Sequence, residues 1–232
     1  MSLHPLAQAQ PPGRWTQQLA HRIRHLFLLK LLGVSGFMWL FFVGYFHLLR
    51  NPVGPVTVMP LTALDHAIAF QPAALWAYLS LWFYVGIPAG LMLTLRQLLI
   101  YGLWVGGLSA SGLALFWLFP TAVPPPTLPV DVAQHPGFAM LQGVDAAGNA
   151  CPSMHVASAV FSAVWIARLL RDIGAPAWTQ AINVAWVLAI VYSTLAIRQH
   201  VALDALAGMA LALLWVLPSL RWFPHGDAGA RR

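Results

Sequence analysis

Long apolar runs with almost no charged residues restrict how this chain can fold. Several of these runs approach or exceed the roughly 20 residues that a helix needs to cross a bilayer. Of the 232 residues, 59% are hydrophobic and 8% are charged, and the mean hydropathy is +0.72. A water-soluble domain of this length cannot bury so much apolar surface. We therefore predict an all-α integral membrane protein, folded as a bundle of six transmembrane helices.

The hydropathy pattern predicts a single membrane domain over residues 31–220. Its six predicted spans are residues 31–49, 73–95, 98–119, 152–167, 175–197 and 201–220. Residues 1–30 are predicted to be a cytoplasmic N-terminal segment, and residues 221–232 a cytoplasmic tail. Pro88 lies inside the second span and should kink it, because proline has no N–H to donate within a helix. Residues 60–70 (PLTALDHAIAF) are amphipathic and are expected to lie along the membrane surface.

The distribution of Lys and Arg predicts that both termini lie in the cytoplasm. With the N-terminus inside, only Arg50 and Arg198 of the twelve basic residues fall in outer segments, so ten lie inside. Cytoplasmic loops of membrane proteins carry such an excess of basic residues. We therefore expect an integral protein of a bacterial inner membrane, whose outer face is the periplasm.

The net charge of +6 does not indicate a nucleic-acid partner. The basic residues are scattered at the ends of apolar runs, as expected of signals that orient membrane helices, and they form no basic block. The partner predicted by this pattern is the lipid bilayer.

Two short segments carry most of the chemistry: CPSMH at residues 151–155 and STLAIRQHVALD at residues 193–204. His200 and Asp204 are four residues apart and therefore share one helix face. Asp204 can hold the His200 imidazole in one tautomer and leave its other nitrogen free to attack. His155 supplies a second imidazole that can give and take protons. The combination suggests phosphoryl transfer through a phosphohistidine.

The predicted topology brings this chemistry to a single membrane face. The fourth span begins outside with Ser153 and His155. The fifth span ends outside with Ser193, and the sixth begins outside with His200. We therefore expect the motif residues to meet at the outer end of the bundle.

Both segments resemble signatures of the type-2 phosphatidic acid phosphatase superfamily. Its three motifs are Lys-x6-Arg-Pro, then Pro-Ser-Gly-His, then Ser-Arg-x5-His-x3-Asp. This chain has Pro-Ser-Met-His at residues 152–155 and keeps Ser193, His200 and Asp204 at the family spacing. The specific resemblance covers roughly residues 119–208.

The chain departs from these motifs in three places. Met154 replaces the glycine, Thr194 replaces the arginine, and the Lys-Arg motif is missing, its nearest counterpart being FPTAVPPP at residues 119–126. The branch that contains inositol-phosphoceramide synthases looks more similar, since it also has Pro-Ser-x-His and a basic residue before Gln/His-His, here Arg198.

The resemblance implies a role for each site residue. His200 would be the nucleophile, His155 the general acid and Asp204 the residue that orients His200. Ser153 and Ser193 would hydrogen-bond phosphate oxygens, although both serines could simply cap helices.

Because the Lys and Arg of the family motifs are missing, other groups must balance the negative charge of the phosphate. Arg198 is the best available guanidinium for the phosphate, with Arg50 as the remaining outer candidate. The free N–H groups at the start of the fourth and sixth helices also suit an anion. The loop over residues 120–129 is a candidate cover for the site, or a stiff connector, and His135 is the one other outer histidine that could lie nearby.

Two function classes remain open from the sequence. The first is an enzyme, a lipid phosphatase (a hydrolase) or a phosphotransferase, which acts on a phosphorylated lipid; water and a lipid alcohol are both possible acceptors. The second is a non-enzymatic lipid-binding or transport protein on a degenerate phosphatase scaffold, favoured by the missing first motif and by Thr194. Two His and one Asp could ligate zinc, but a third strong ligand is lacking, so we expect no metal and no cofactor. The oligomeric state is left open.

Overall fold

Six helices in the described residues are long and apolar enough to cross a membrane, which confirms the predicted six-span architecture. The structure is a computed structural model that describes residues 14–125 and 148–223. The spans are Phe27–Arg50, Pro72–Gly90, Leu95–Leu118, Met154–Asp172, Ala177–Ala196 and Ala202–Arg221, numbered first to sixth below.

The first span begins at Phe27, earlier than the predicted residue 31, and a separate helix precedes it. This N-terminal helix, Trp15–Arg24, is joined to the span through Leu26, whose φ of 56° interrupts the helical path. Lys30 in the first turn of the span donates from Nζ to the backbone carbonyl oxygens of Arg22 (2.6 Å) and Gly90 (2.8 Å). These bonds tie the N-terminal helix to the end of the second span.

The second span is a chain of short helical segments rather than one continuous helix. A 3₁₀ turn (Pro72–Ala74) leads into short helices at Leu75–Leu79, Leu81–Tyr84 and Gly86–Gly90. The distortion predicted from Pro88 is present: Pro88 cannot donate to the carbonyl of Tyr84, and the helix is interrupted at Val85. Ser80, at the earlier break, donates from Oγ to the carbonyl of Ala77 (2.6 Å).

The fourth span lies at the centre of the bundle. Its Phe161 and Trp165 side chains are fully buried, and Nε1 of Trp165 donates to Oγ of Ser219 in the sixth span (3.0 Å). Asn183 of the fifth span donates to the carbonyl of Ala163 (2.9 Å). These buried polar contacts fix the fourth span against both later spans, since an unpaired polar group there would be costly.

The sixth span packs tightly against the fourth span at Gly208. A Cβ at that position would collide with the carbonyl oxygen of Ser153. This contact lies one helical turn after Asp204 and at the start of the fourth span. The glycine therefore allows the starts of the fourth and sixth spans to come together.

A small parallel sheet braces the segment that leads into the fourth span. Strand β1 (Thr57–Val58) pairs with strand β2 (Thr121–Ala122), and Thr121 also bridges to Asn149. The backbone N–H of Cys151 donates to Oγ1 of Thr121 (2.8 Å). The residues just before Ser153 are thus held to the loops that follow the first and third spans.

Candidate active site

His155 stands in the first turn of the fourth span against two aromatic rings of the second. Its imidazole stacks on Tyr78 with centroids 4.2 Å apart and planes 19° apart, and Trp82 meets it edge-on at 5.3 Å. The hydroxyl of Tyr78 lies 3.4 Å from Nδ1 of His155. Within the described residues, the buried Nε2 atom has no hydrogen-bond partner. One imidazole nitrogen is therefore available to a ligand.

His200 faces His155 from the turn between the fifth and sixth spans. The two ring centroids are 5.9 Å apart. Nδ1 of His200 lies 3.5 Å from Oδ2 of Asp204, a separation at the long limit for a hydrogen bond. Asp204 is fully buried. The structure thus brings together the two imidazoles and the carboxylate that the motifs singled out.

Backbone contacts lock the two motifs to each other. The N–H of Ser153 donates to the carbonyl oxygen of Asp204 (2.9 Å), so the second motif is bonded directly to the third. Ser153 also caps its own helix, since its Oγ accepts the N–H of Val156 (3.3 Å). This arrangement fixes the start of the fourth span, where His155 stands, relative to Asp204.

The two predicted phosphate-binding serines are engaged with backbone groups. Ser153 acts as the helix cap just described, and Ser193 donates from Oγ to the carbonyl of Ile190 in its own helix (2.6 Å). Both serines are fully buried. Neither contributes to the described lining of the cavity in front of the histidines. Their proposed contact with phosphate therefore requires these hydrogen bonds to be exchanged.

Arg198 lines the cavity next to the histidines and is already bonded to a neighbouring loop. Its guanidinium donates to the backbone carbonyls of Asp65 and Ile68, each at 2.7 Å. Its φ is 62°, an unfavourable left-handed conformation for a residue with a side chain. Such strain persists only where surrounding contacts over-determine it.

Asp65 is a buried carboxylate near the site that sequence reasoning missed. It is 2% exposed, and it belongs to a short helix, Ala63–Ala67, inside the predicted amphipathic stretch. Its Oδ2 accepts the N–H and the hydroxyl of Thr62, both at 2.7 Å. Its Oδ1 accepts the N–H of Ala202 (2.8 Å), the first residue of the sixth span.

The start of the sixth span is consequently occupied by carboxylates. Asp65 takes the N–H of Ala202, and Oδ2 of Asp204 takes that of Val201 (3.0 Å). Two negative side chains already complement the positive end of this helix. The N–H groups of Val201 and Ala202, two of those expected from sequence to suit an anion, are therefore already taken in this conformation. The one sequence signal for Asp65 was the Thr–x–x–Asp pattern that begins at Thr62, which is typical of a helix capping box.

Met154, which replaces the motif glycine, is accommodated by a glycine on another helix. A Cβ built at Gly112 of the third span would collide with the Sδ atom of Met154. The Met154 side chain is itself buried. The larger residue in the second motif thus fits because the facing position has no side chain.

A cavity of about 1300 Å³ opens in front of the two histidines. His155, Arg198 and His200 line it, as do residues 121–125 of the proline-rich loop. Residues 126–129 of that loop and His135 lie outside the described residues. Arg50 is exposed, and its guanidinium lies 5.7 Å from the Phe46 ring centroid. No described group of three or more His, Cys, Asp or Glu side chains is placed to hold a metal ion.

The comparisons with known proteins identify a family. The sequence signature of the PAP2 superfamily matches residues 99–226, more than half of the chain. The matched region includes all six predicted site residues, most of the third span and the whole of the fourth to sixth spans. No curated protein and no solved structure gave a significant match.

Proposed function

The chain belongs to the PAP2 superfamily of membrane phosphatases and phosphotransferases, and we propose that it cleaves a phosphate ester of a phosphorylated lipid through a phosphohistidine. One observation carries this proposal. Two imidazoles, His155 and His200, face each other 5.9 Å apart at one end of a largely apolar cavity, with the buried Asp204 behind one of them. That arrangement suits an amphiphile with a phosphate at one end.

In the first step, His200 attacks phosphorus and the ester P–O bond breaks. Asp204 lies beside Nδ1 of His200, so it favours the tautomer with the proton on Nδ1 and leaves Nε2 as the nucleophile. It also balances the positive charge that forms on the phosphorylated ring. His155 gives its proton to the departing alkoxide, and the lipid alcohol leaves.

In the second step, His155 is the base. It takes a proton from water or from a lipid hydroxyl, whose oxygen then attacks phosphorus and breaks the P–N bond to His200. Water yields phosphate, and a lipid hydroxyl yields a new phosphate ester. Catalysis here is mainly positioning and charge stabilisation.

Arg198 is proposed as the main cation for the phosphoryl oxygens. It lines the cavity, and its planar fork suits phosphate. Its two bonds to the 65–68 loop use one N–H of each terminal nitrogen. An arginine has five donors in all, so three remain. Ser153 and Ser193 are proposed as secondary phosphate ligands that exchange their backbone bonds when substrate binds.

Two activities are compatible with this proposal, and they differ in the group that accepts the phosphoryl group. A phosphatase transfers it to water, and a transferase transfers it to a lipid alcohol. The absent Lys-Arg motif and the resemblance to the inositol-phosphoceramide synthase branch favour transfer to a lipid alcohol. The superfamily as a whole favours hydrolysis. A single assay resolves the two: a phosphorylated lipid is supplied with and without a lipid alcohol, and phosphate and new phosphoester are both quantified.

The assay should use purified protein with a panel of phosphorylated lipids, with and without a chelator. We expect turnover that the chelator leaves unchanged and that vanadate inhibits, because vanadate resembles five-coordinate phosphorus. Lipid binding without any turnover would instead favour the non-enzymatic alternative. Loss of activity with chelator and recovery with zinc would reassign the two histidines and Asp204 as metal ligands.

We further propose that the site lies at the outer, periplasmic face of a bacterial inner membrane. Basic residues such as Lys30 and Arg168 lie at the opposite end of the bundle, where Arg168 donates to the carbonyl of Leu220 (2.7 Å). In a Cys151→Ser background, Gly54→Cys should react with an impermeant thiol reagent on intact cells, and Asp172→Cys should not. Both positions are exposed, so the reverse labelling pattern would place the site in the cytoplasm.

A further inference from the structure

The cavity in front of the histidines extends far beyond the space that a phosphate head group needs. Ordinary small-ligand pockets measure roughly 300–1,000 Å³, whereas this one holds about 1300 Å³. Along the first span its lining runs from Leu29 to Leu49. At a rise of about 1.5 Å per residue, this is about 30 Å, comparable with the hydrocarbon thickness of a bilayer.

The polarity of the lining changes along this length. His155, Arg198 and His200 line one end, together with Asn149. Towards Leu29 and the start of the third span the lining becomes apolar. Apart from Arg198, no Asp, Glu, Lys or Arg lines the cavity among the residues that the structure describes. The shape and polarity match an amphiphile with one anionic end and a long apolar chain.

Two glycines lie in the half of this cavity that is farther from the histidines. Gly33 of the first span and Gly102 of the third both line it. A Cβ at either position would meet no described atom within 4 Å. At both positions the first atom of a larger side chain would therefore meet open space beside the cavity.

The same two helices offer matched positions outside the cavity. At Gly36 and Gly106 a Cβ would likewise meet no described atom within 4 Å. Neither residue belongs to the described cavity lining. A substitution at Gly36 or Gly106 therefore changes the helix as much as one at Gly33 or Gly102, but leaves the cavity unfilled.

We propose that Gly33 and Gly102 determine substrate specificity by keeping space for the far end of the apolar chain of the lipid phosphate. The phosphate lies at His200, and the chain runs inside the bundle towards Leu29. The proposal rests on the proposed function, since the occupant is the substrate of the same site. Each buried methylene contributes about fourfold to binding. Blocking two or three methylenes should then lower binding by roughly fifteen- to sixtyfold.

The test compares kcat/KM for dioleoyl and dioctanoyl phosphatidic acid in the same mixed micelles. Gly33→Leu and Gly102→Leu should lower the long-to-short ratio by roughly fifteen- to sixtyfold, while Gly36→Leu and Gly106→Leu should leave it unchanged. The ratio is measured on a single preparation, so it does not depend on the folded fraction. An unchanged ratio in both cavity variants, or an equal fall in the controls, would overturn the inference.

A second readout separates this inference from the proposed function. Wild-type protein that turns over neither lipid would count against the proposed activity. The chain site can then still be tested through the rise in unfolding midpoint that dioleoyl phosphatidic acid produces. That rise should be lost in Gly33→Leu and kept in Gly36→Leu; a rise kept in both, or absent from the wild type, would refute the chain site.

Discussion

Asp204 presents one carboxylate oxygen to two partners: Oδ2 lies 3.5 Å from Nδ1 of His200 and accepts the N–H of Val201 at 3.0 Å. The other oxygen, Oδ1, is buried and has no hydrogen-bond partner among the described residues. A small rotation of either side chain would shorten the contact to His200. Catalytic hydrogen bonds are often long before substrate binds and tighten afterwards. We therefore treat Asp204 as a positioning residue for His200.

Asp204→Asn should lower kcat by on the order of a hundred- to ten-thousandfold with little loss of stability. The amide oxygen can take the place of Oδ2, where it still accepts the N–H of Val201 and lies beside Nδ1 of His200, but a neutral amide cannot balance the positive charge that forms on the phosphorylated imidazole. The measurements are kcat and the unfolding midpoint. Asp172→Asn, at an exposed carboxylate, is the matched control and should behave as wild type. A normal kcat for Asp204→Asn would remove Asp204 from the mechanism.

His200→Ala and His155→Ala should fail at different steps. His200→Ala should abolish both turnover and acid-labile labelling by a phosphorylated substrate. His155→Ala should lose turnover of lipid substrates but still become labelled by nitrophenyl phosphate, because that leaving group needs no proton. Rapid-quench labelling distinguishes the two. Label retained in His200→Ala, or lost equally in both variants, would contradict the assigned roles.

The proximity of His200 and Asp204 could be predicted from sequence because their spacing is local. The two residues were expected on one helix face, whereas the helix begins at Ala202 and His200 lies in the turn before it. The short separation in sequence nevertheless leaves Nδ1 of His200 3.5 Å from Oδ2 of Asp204. The counting of spans then brought His155 to the same end, which the ring separation of 5.9 Å bears out. The six spans could be predicted for a similar reason, since length and hydropathy are properties of each segment.

The parts that could not be predicted depend on contacts distant in the chain. Asp65 accepts a hydrogen bond from Ala202, which is 137 positions away in the chain, and no local sequence pattern predicts that bond. The same holds for the two carbonyls that Arg198 binds. The break at Ser80 also escaped prediction, since only Pro88 signals a distortion in that span.

Arg198→Ala should lower kcat by roughly ten- to a hundredfold, the value of a charge-assisted hydrogen bond to the transition state. Arg198→Lys keeps the charge but not the planar fork, so it should also be clearly impaired. Arg198→Gly is an informative control. Glycine tolerates the φ of 62°, so this variant should be more stable than Arg198→Ala by about 1 kcal/mol. It should nevertheless show the same loss of kcat as Arg198→Ala.

The comparison of these variants separates a structural role from a phosphate contact. If Arg198 only clamps the 65–68 loop, activity should follow the unfolding midpoint, and Arg198→Gly should be the more active variant. If Arg198 binds phosphate, kcat should fall equally in Arg198→Ala and Arg198→Gly. A near-normal kcat in Arg198→Ala would mean that Arg50 or backbone N–H groups bind the phosphate instead.

Asp65→Asn should destabilise the protein near neutral pH and lose that effect in acid. Burial acts to raise the pKa of Asp65, but hydrogen bonds from Thr62 and Ala202 and the charge of Arg198 outweigh it and lower the pKa below 3.8. A lowered folded-state pKa means that ionised Asp65 contributes stability above about pH 4, and that this contribution disappears as pH falls through the folded pKa.

The expected difference between wild type and Asp65→Asn is about 1–3 kcal/mol near neutral pH, as for hydrogen bonds to a charged group. It should be constant down to about pH 5 and shrink in more acidic solution. Unfolding midpoints across this range provide the measurement. A difference that grows towards acid would show that the pKa of Asp65 is raised rather than lowered.

The contact between Met154 and Gly112 predicts a coupled pair. Gly112→Ala should destabilise the protein by about 1–3 kcal/mol, because the new methyl group collides with the Met154 thioether. It should also lower kcat, since Met154 adjoins His155 in the first turn of the fourth span. Gly106→Ala, on the same helix but without a described atom in reach, should be neutral or slightly stabilising.

A double-mutant cycle tests whether the two positions compensate each other. Met154→Ala alone should cost stability by leaving a void, but it should also remove the obstacle to a side chain at residue 112. The double variant should therefore be more stable than the sum of the single effects implies, by about 0.5–3 kcal/mol, and its kcat should exceed that of Gly112→Ala. Additive effects on the unfolding midpoint would mean that the glycine at 112 does not compensate for the methionine in the second motif.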